Sequence, residues 1–520
     1  MKFQRSIGSI ALLFSALGGI VGSGWLFGPL YAAQVAGPAA ILSWMIGGLL
    51  MISIALTFAE LATAFPIAGG MVRFAEFSHG PMMSFTVGWM VWLSSVVVAP
   101  VETLALIQYT ANYFPALVHK VAGTTVLTGG GVVASAIVML VMCILNIQGA
   151  KFFSRAGTAI VSIKLIVPAI TLVTLLLLDF HPSNLEAAGG FFPYGWQGVF
   201  SALPLGGVIF SFIGYSTAIQ LAGEAKNPQR AIPFAIIGAL VFCIFLYVLL
   251  QLAFVGALKP EYLTQGWHNL NFAGDSGPFA GILTALGAIW LVIIIYGDAV
   301  ISPFGTGFIY TASTARVNYA LSEIGFFPKF FKQLNKNGIP ASAIAVNYIV
   351  GLFLFLPFPG WQSMVTFIIS CFVIAYSIGP IALITLRRTY PNQIRPFLLP
   401  YVDVIAFIAF YICNLLIFWT GWHTVSRLMM ALGVGLLVFV YRYFKLKNQG
   451  IDVQWKKSIW LIPYFIGVGV ISYLGSFGHG INVIKFGVDF FVIALFSGGI
   501  FYFALQSAKK MTPTDQVVKI

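Results

Sequence analysis

A few residues of this chain could bind a ligand or exchange a proton inside long apolar stretches of sequence. The Gly-Ser-Gly run at 22–24 interrupts a long apolar stretch and frees backbone groups there to hydrogen-bond a ligand. Glu102, Lys164 and Asp298 are single charges inside other apolar stretches. Charged residues at membrane depth are costly and usually functional. Together these residues predict a site that binds a small charged molecule and exchanges a proton.

The composition places these residues in a membrane. The chain has 520 residues, of which 59% are hydrophobic and 8% charged, whereas soluble domains carry about 25% charged residues. A membrane-spanning helix needs about 20 apolar residues. We predict an all-α polytopic membrane protein with about fourteen spans and no soluble domain, at 7–36, 38–63, 82–114, 125–147, 154–178, 199–222, 232–257, 279–310, 340–358, 362–386, 401–420, 426–444, 458–476 and 486–506.

Basic residues set the predicted orientation. With alternating spans, most of the 27 lysines and arginines fall in loops on the side of the N-terminus. By the positive-inside rule, that side is the cytoplasm, so both termini are predicted there in a multi-pass protein of the cytoplasmic (inner) membrane. The same bias accounts for the net charge of +13, and no nucleic-acid partner is expected.

The sequence offers no pattern for enzymatic chemistry. No phosphate-cradling glycine loop is present, and the glycines near residue 22 have the wrong spacing and context for a dinucleotide fingerprint. The four cysteines (Cys143, Cys243, Cys371 and Cys413) lie in separate apolar stretches and are interpreted as small buried hydrophobes. We therefore expect no catalytic residues, no metal and no cofactor.

The first apolar stretch contains a predicted helix break. Its centre holds the residues that least favour a helix, with glycines at 18, 19, 22, 24 and 28. A new half-helix beginning near Trp25 would offer free N–H groups and a positive dipole end to a carboxylate. The preceding carbonyls can accept from an ammonium group. The predicted binding residues for such a zwitterion are Ile20, Val21, Gly22, Ser23 and Gly24.

The sixth apolar stretch contains a second predicted break, around Pro204, Gly206 and Gly207. Each broken stretch is the first of five spans, and interrupted helices at matching positions indicate an inverted repeat with substrate between the halves. The alternative is that intramembrane glycines simply permit close helix packing, and both interpretations stay open for Gly206 and Gly207. The predicted substrate contacts here are Phe210, Ser211, Phe212 and Gly214.

Four motifs, in this order, resemble the amino acid–polyamine–organocation (APC) superfamily of permeases over about residues 7 to 390. They are Gly19-x-x-Gly22-Ser23-Gly24-x-x-x-Gly28-Pro29; Glu60-Leu61 with Pro66-x-x-Gly69-Gly70 and Gly88-Trp89; Phe210-x-Phe212-x-Gly214-Tyr215 leading to Glu224-x-Lys226-Asn227-Pro228; and Ala315-Arg316-x-x-Tyr319-Ala320 with Gly338-x-Pro340.

The resemblance implies a transport core of five plus five inverted-repeat helices at 1–390, with alternating access and an amino acid held between spans one and six. It also implies that an aromatic residue of span six acts as a gate, a place that Phe212 occupies. Residues 391–520 would add four C-terminal helices. Two of these exceed the common twelve-span pattern, a layout similar to a bacterial aspartate–proton symporter subgroup.

The intramembrane charges suggest how transport is coupled. Lys164 resembles the lysine that replaces the coupling cation in proton-coupled members, and low dielectric favours the neutral form of a lysine enough for it to exchange a proton. The alternative is a structural ion pair between Lys164 and Asp298. Asp298 is also a candidate proton relay or ammonium ligand, and Glu102 is either a proton-access residue or a neutral, hydrogen-bonded acid.

The sequence thus predicts a secondary active transporter that imports amino acids by proton symport. Its predicted partners are the amino acid, the proton and membrane lipid. The resemblance alone suggests aspartate or glutamate, since no arginine lies within a predicted span. The alternatives are an amino acid exchanger or a polyamine importer and, from another class, an amino acid sensor that does not transport.

Overall fold

The computed structural model describes residues 7–508 except 68, 122–123, 149, 273–276, 357, 359 and 448–452. The described chain is mainly helical, with short 3₁₀ turns between helices. Its α-helices are α1 Ser9–Ile20, α2 Ser23–Ala36, α3 Ala40–Ala64, α4 Gly70–His79, α5 Pro81–Thr110, α6 Gly129–Gln148, α7 Ala150–Leu178, α8 Gly195–Leu205, α9 Ser216–Gln220, α10 Pro228–Gly256, α11 Pro278–Ala285, α12 Ile289–Glu323, α13 Ala341–Phe353, α14 Trp361–Thr389, α15 Val402–Trp419, α16 Trp422–Lys447, α17 Leu461–Leu474 and α18 Val488–Ala508.

One small sheet interrupts the helical order. Strands β1 (Val118–Val121) and β2 (Thr124–Leu127) form an antiparallel hairpin in which Val118 faces Leu127. It lies between α5 and α6, in the connection between two spans.

Many helices have the length and composition of membrane spans. In the described residues, 11 helical stretches are long and apolar enough to cross a membrane, or up to 12 if one bent pair counts as a single span. One stretch, Ser23–Ala64, is 42 residues long and contains both α2 and α3. Two shorter apolar helices are α1 and α13. The all-helical membrane architecture agrees with the sequence, while the count of fourteen, the inverted repeat and the sidedness of the termini stay predictions.

Both predicted breaks appear as interruptions of helix. α1 ends at Ile20 and α2 begins at Ser23, so two residues at the centre of the first apolar stretch are non-helical. α8 ends at Leu205, and the chain resumes as a 3₁₀ segment, Phe210–Tyr215, followed by α9. The two parts of this sixth stretch are bent by 49°. These interruptions place backbone polar groups in the interior of the bundle.

The helices around these breaks form the core of the bundle. α5 packs along α12, and α3 packs along α10. In the most apolar 18-residue window of each helix, 89% of the residues are buried in α5 and 100% in α14, whereas only 28% are buried in α6 and in α16. α5 and α14 are therefore central, whereas α6 and α16 lie at the exposed edge of the bundle.

The C-terminal helices pack against the core through α15, which contacts α14 and α3. Glu60 of α3 helps to fix this arrangement, because its carboxylate accepts two hydrogen bonds from Arg387 at 2.7 and 2.6 Å and one from the Leu399 backbone N–H at 2.8 Å. α17 and α18 then pack on α15. The proposed division near residue 390 stays a prediction.

Candidate functional site

The two interrupted stretches cross with their backbones in contact. A Cβ added to Gly214 would collide with the backbone of Gly19 and Ile20, and one added to Gly19 would lie 2.9 Å from the Gly214 carbonyl oxygen. Thr217 supports the crossing by donating to the Ser15 carbonyl at 3.1 Å. Glycine is required at both positions because only it allows this approach.

At the first break, the N-terminus of α2 receives a carboxylate from another helix. The backbone N–H of Ser23 donates to Glu102 Oε2 at 2.9 Å, and Glu102 is fully buried on α5. Gly22 lets the carboxylate approach, since an added Cβ would lie 2.6 Å from Glu102 Oε1. Free N–H groups and the helix dipole favour an anion here. The position predicted for a ligand carboxylate is therefore occupied by Glu102.

Lys164 reaches the end of α1 from α7. Its Nζ donates to the Gly18 carbonyl at 2.8 Å and to Thr306 Oγ1 at 2.6 Å. Thr306 Oγ1 also lies 3.3 Å from the Val21 carbonyl. The structure thus brings Lys164 to the break as predicted, but it contacts Gly18 directly and Val21 only through Thr306, and Ile20 is not a partner.

Asp298 lies on the same α12 face as Thr306, without reaching Lys164. Ser302 Oγ donates to Asp298 Oδ1 at 2.7 Å. Asp298 Oδ2 is buried near Trp25 and makes no hydrogen bond within the described part of the chain. No salt bridge within 4.0 Å joins Lys164 to Asp298 in the described structure. The direct ion pair considered above is not formed in this conformation.

Only some of the predicted span-six residues reach the interior cavity. Phe210 and Gly214 line it, whereas Phe212 packs its ring against Trp44 and Tyr247, at centroid distances of 6.0 and 5.5 Å. Ser211 is buried against Gly24, where an added Cβ would collide with Ser211 Oγ. Phe210 therefore faces the cavity and Phe212 the packed interior, and the gate role that the resemblance implies for Phe212 stays a prediction.

Trp361 of α14 covers the break from above Phe210. Its indole Nε1 donates to Ser23 Oγ at 2.9 Å, and its ring makes an edge contact with Phe210 at 5.8 Å. The ring also stacks on Tyr31 at 5.5 Å. The Trp361 ring therefore contacts both α2 and the 3₁₀ segment that follows α8.

The cavity between the two breaks is small in this conformation. Its volume of about 10 Å³ has room for about one water molecule. The lining consists of Gly19, Ile20, Val98, Glu102, Phe210, Ile213, Gly214, Thr306, Tyr310 and Phe372. A ligand as large as an amino acid requires the two interrupted stretches to separate.

A larger cavity of about 590 Å³ lies elsewhere, lined in part by Lys226, Arg230 and Gln393. It lies on the predicted cytoplasmic side and contains none of the intramembrane charges. The smaller cavity is the better candidate because buried polar groups from several helices converge there, which is typical of a ligand site.

Ion pairs join helix ends on the predicted cytoplasmic side. Arg73 of α4 lies 3.6 Å from Glu323 of α12, and Arg316 of α12 lies 3.8 Å from Glu224, which follows α9. These exposed or half-exposed pairs are individually weak. They can therefore break when the helices move apart.

In the part of the chain that the structure describes, no group of three or more His, Cys, Asp or Glu side chains could hold a metal ion. At the break, the Lys164 amine lies against the Gly18 carbonyl, which could otherwise attract a cation.

Sequence reasoning missed Thr306 and Trp361 as parts of the site. Thr306 lies eight residues after Asp298 on α12, so the two share a helix face, a spacing that could have found it. Trp361 is 338 residues from Ser23 in sequence, and only the fold brings them together.

The chain belongs to the amino acid permease family, whose family model matches residues 7–439. This confirms the resemblance to the APC superfamily. The relatives are transporters from Bacillus subtilis (strain 168). The glutamate/serine transporter AimA is 39% identical over 513 residues, covering 97% of this chain and 94% of that protein. An aspartate-proton symporter is 33% identical over 506 residues, covering 97% and 96%.

A more distant relative is the branched-chain amino acid permease BcaP of the same organism, which is 27% identical over 453 residues and covers 84% of this chain and 93% of that protein. The relatives support amino acid transport by this chain, although the substrates in their names differ.

Proposed function

We propose that this protein imports amino acids across the bacterial cytoplasmic membrane by proton symport, with the substrate held between the interrupted first and sixth spans. The observation that carries this proposal is the contact of the Lys164 ammonium with the Gly18 carbonyl at 2.8 Å. It joins a group that can exchange a proton to the backbone break that binds the substrate.

Coupling follows from the two states of this amine. When protonated, Lys164 donates to Gly18 and Thr306 and holds the end of α1 in place. When it loses its proton, the amine keeps fewer donors and no charge, so its hold on the carbonyl weakens. Proton release on the cytoplasmic side then loosens α1 and helps the substrate to leave.

Acidic amino acids and serine are the first substrate candidates. One relative is named for glutamate and serine, and another for aspartate and the proton. The cavity offers the hydroxyls of Thr306 and Tyr310, and Lys164 lies beside it. An acidic substrate brings a net negative charge, which a transported proton neutralises in the low-dielectric interior.

Uptake by purified protein in proteoliposomes tests the proposal. Radiolabelled aspartate, glutamate, serine and leucine are offered with and without an inward proton gradient. We expect accumulation of at least one of them above its equilibrium level only when the gradient is present. Lys164→Gln should abolish this accumulation while leaving counterflow measurable, and the exposed Lys329→Gln is the matched control.

Three outcomes would contradict the proposal. Counterflow without any response to the gradient would make the protein an exchanger, and binding without flux would make it a sensor. Unchanged gradient-driven accumulation in Lys164→Gln would remove the coupling role of Lys164.

A further inference from the structure

We propose that, when no substrate is bound, the Glu102 carboxylate occupies the position of the substrate carboxylate. Its side chain caps the N-terminus of α2 until the substrate displaces it. This inference rests on the proposed function of the same site. It assigns a role to an acid that the sequence left with two open interpretations.

Glu102 lies at the N-terminus of α2, where the carboxylate of a substrate would bind. Oε2 accepts the Ser23 backbone N–H at 2.9 Å, at the start of a 14-residue helix whose N-cap, Gly22, has no capping side chain. A helix N-terminus attracts a single anion by its free N–H groups and its dipole. The carboxylate of a bound amino acid needs this same place.

The other carboxylate oxygen of Glu102 also favours displacement. Among the residues that the structure describes, Glu102 Oε1 has no hydrogen-bond partner, and Glu102 is fully buried in the lining of the small cavity. A buried acceptor without a partner costs about 1–3 kcal/mol. The capped arrangement is therefore incompletely satisfied, and displacement by a better-matched ligand is favoured.

Space and charge also separate Glu102 from the substrate. The cavity has a volume of about 10 Å³ with Glu102 in its lining, so in this conformation no amino acid fits beside the Glu102 side chain. Two carboxylates at one N–H group would also repel each other. Substrate and Glu102 thus exclude each other at the N-terminus of α2, and the Glu102 side chain must rotate away.

Several groups face Glu102 from neighbouring helices. Lys164 on α7 interacts with it electrostatically, as do Tyr310 on α12 and Tyr247 on α10. Asp298 lies beyond Lys164, with which it also interacts. Because all of these groups can influence protonation, the competition is best tested at one fixed pH.

The test measures equilibrium binding of glutamate and serine to the detergent-purified full-length chain. If Glu102 occupies the site about 90% of the time, its removal raises the apparent affinity about tenfold. We expect this gain in Glu102→Ala. In that variant, millimolar acetate should compete with the substrate, whereas neutral acetamide should not. Acetate should leave binding to the wild type unchanged.

Asp489→Ala is the matched control, since Asp489 is another buried acid that accepts a backbone N–H, from Gly487 at the start of α18. It should show neither the affinity gain nor the acetate effect. If Glu102→Ala does not fold, the near-isosteric Glu102→Gln serves instead, with a smaller affinity gain expected because its amide binds the N–H more weakly.

Lower or unchanged substrate affinity in the folded Glu102 variants would overturn the inference, since Glu102 would then be a substrate ligand or a bystander. Failure of acetate to compete in Glu102→Ala would overturn it too. Absence of amino acid binding and transport in the wild type would instead contradict the proposed function, so the two failures are distinguishable.

Discussion

The two interrupted stretches share a shape but differ in chemistry. The break between α1 and α2 is contacted by side chains from four other helices: Glu102 of α5, Lys164 of α7, Thr306 of α12 and Trp361 of α14. Two of these are ionisable. The break after α8 is largely satisfied by its own backbone, with Ile209 N–H donating to Leu203 at 3.0 Å and Ser211 N–H donating to Gly207 at 3.1 Å.

In the described residues, no hydrogen bond brings an ionisable side chain to the backbone of 206–209. Glycines dominate that break instead: Gly206 packs on Ala32 of α2, and Gly207 has a φ of +73° beside the Trp361 ring. The first break is therefore suited to binding charge, whereas the second is suited to close packing and to bending.

The largest effect is expected where the two stretches touch. Gly214→Ala would place a methyl group against the backbone of Gly19 and Ile20 and push the two stretches apart. Because misplacement of about 1 Å can cost a site about 100-fold, we expect substrate uptake to fall by about that factor. The matched control is Gly297→Ala on α12, where an added Cβ meets nothing within 4 Å.

Uptake at the wild-type rate in Gly214→Ala would contradict the close crossing. Equal loss of uptake in both variants would contradict it too, because the effect would then not depend on the contact of Gly214 with Gly19 and Ile20.

The next effect separates two neighbouring aromatic residues. Phe212 is fully buried against Trp44 and Tyr247, so Phe212→Ala should destabilise the fold by about 3 kcal/mol. Phe210 lines the cavity, so Phe210→Ala should instead raise the KM for the substrate about tenfold, with a smaller loss of stability than Phe212→Ala. Thermal unfolding and uptake kinetics measure the two effects. A raised KM in Phe212→Ala and a loss of stability in Phe210→Ala would instead support the gate role that the resemblance implies for Phe212.

A smaller effect is expected where Trp361 contacts Ser23 at the first break. Trp361→Phe keeps the aromatic surface but removes the hydrogen bond to Ser23 Oγ, worth about 1 kcal/mol. We expect about fivefold weaker substrate binding. Trp44→Phe removes a similar bond, to Gln251 at 2.8 Å, and should leave affinity unchanged. Equal losses in both variants would argue against a specific role of Trp361.

The smallest effect is expected in the second break. Tyr376 donates to the Ile213 carbonyl at 2.9 Å within the 3₁₀ segment. Tyr376→Phe should lower the uptake rate by about twofold, since this contact supports shape and carries no charge. Tyr411→Phe, which removes a bond of the same length to Phe490, is the control. A complete loss of transport in Tyr376→Phe would mean that the second break has a chemical role as well.

The sequence could predict both breaks because glycine and proline act on the local backbone. The run at residues 22–24 and the pair Gly206–Gly207 weaken a helix wherever they stand. Lys164 was predictable for a similar reason, since a lysine in an apolar stretch needs a polar partner. These features depend on single stretches of chain, and the structure shows both interruptions of helix and brings Lys164 to the first of them.

The partners of these residues could not be predicted in the same way. Which aromatic residue faces the cavity depends on the winding of the 3₁₀ segment, and a tighter turn changes the side on which Phe210 and Phe212 emerge. The meeting of Glu102 with Ser23 depends on the packing of α5 against α2. Long-range contacts of this kind leave no local pattern in a single sequence.

The most direct test of the central claim is a simultaneous measurement of proton and amino acid flux into proteoliposomes. We expect the wild type to carry protons with the substrate in a fixed ratio. We expect Lys164→Gln still to exchange substrate but to carry no protons with it. An unchanged ratio of protons to substrate in Lys164→Gln would contradict the claim that the first break couples the two.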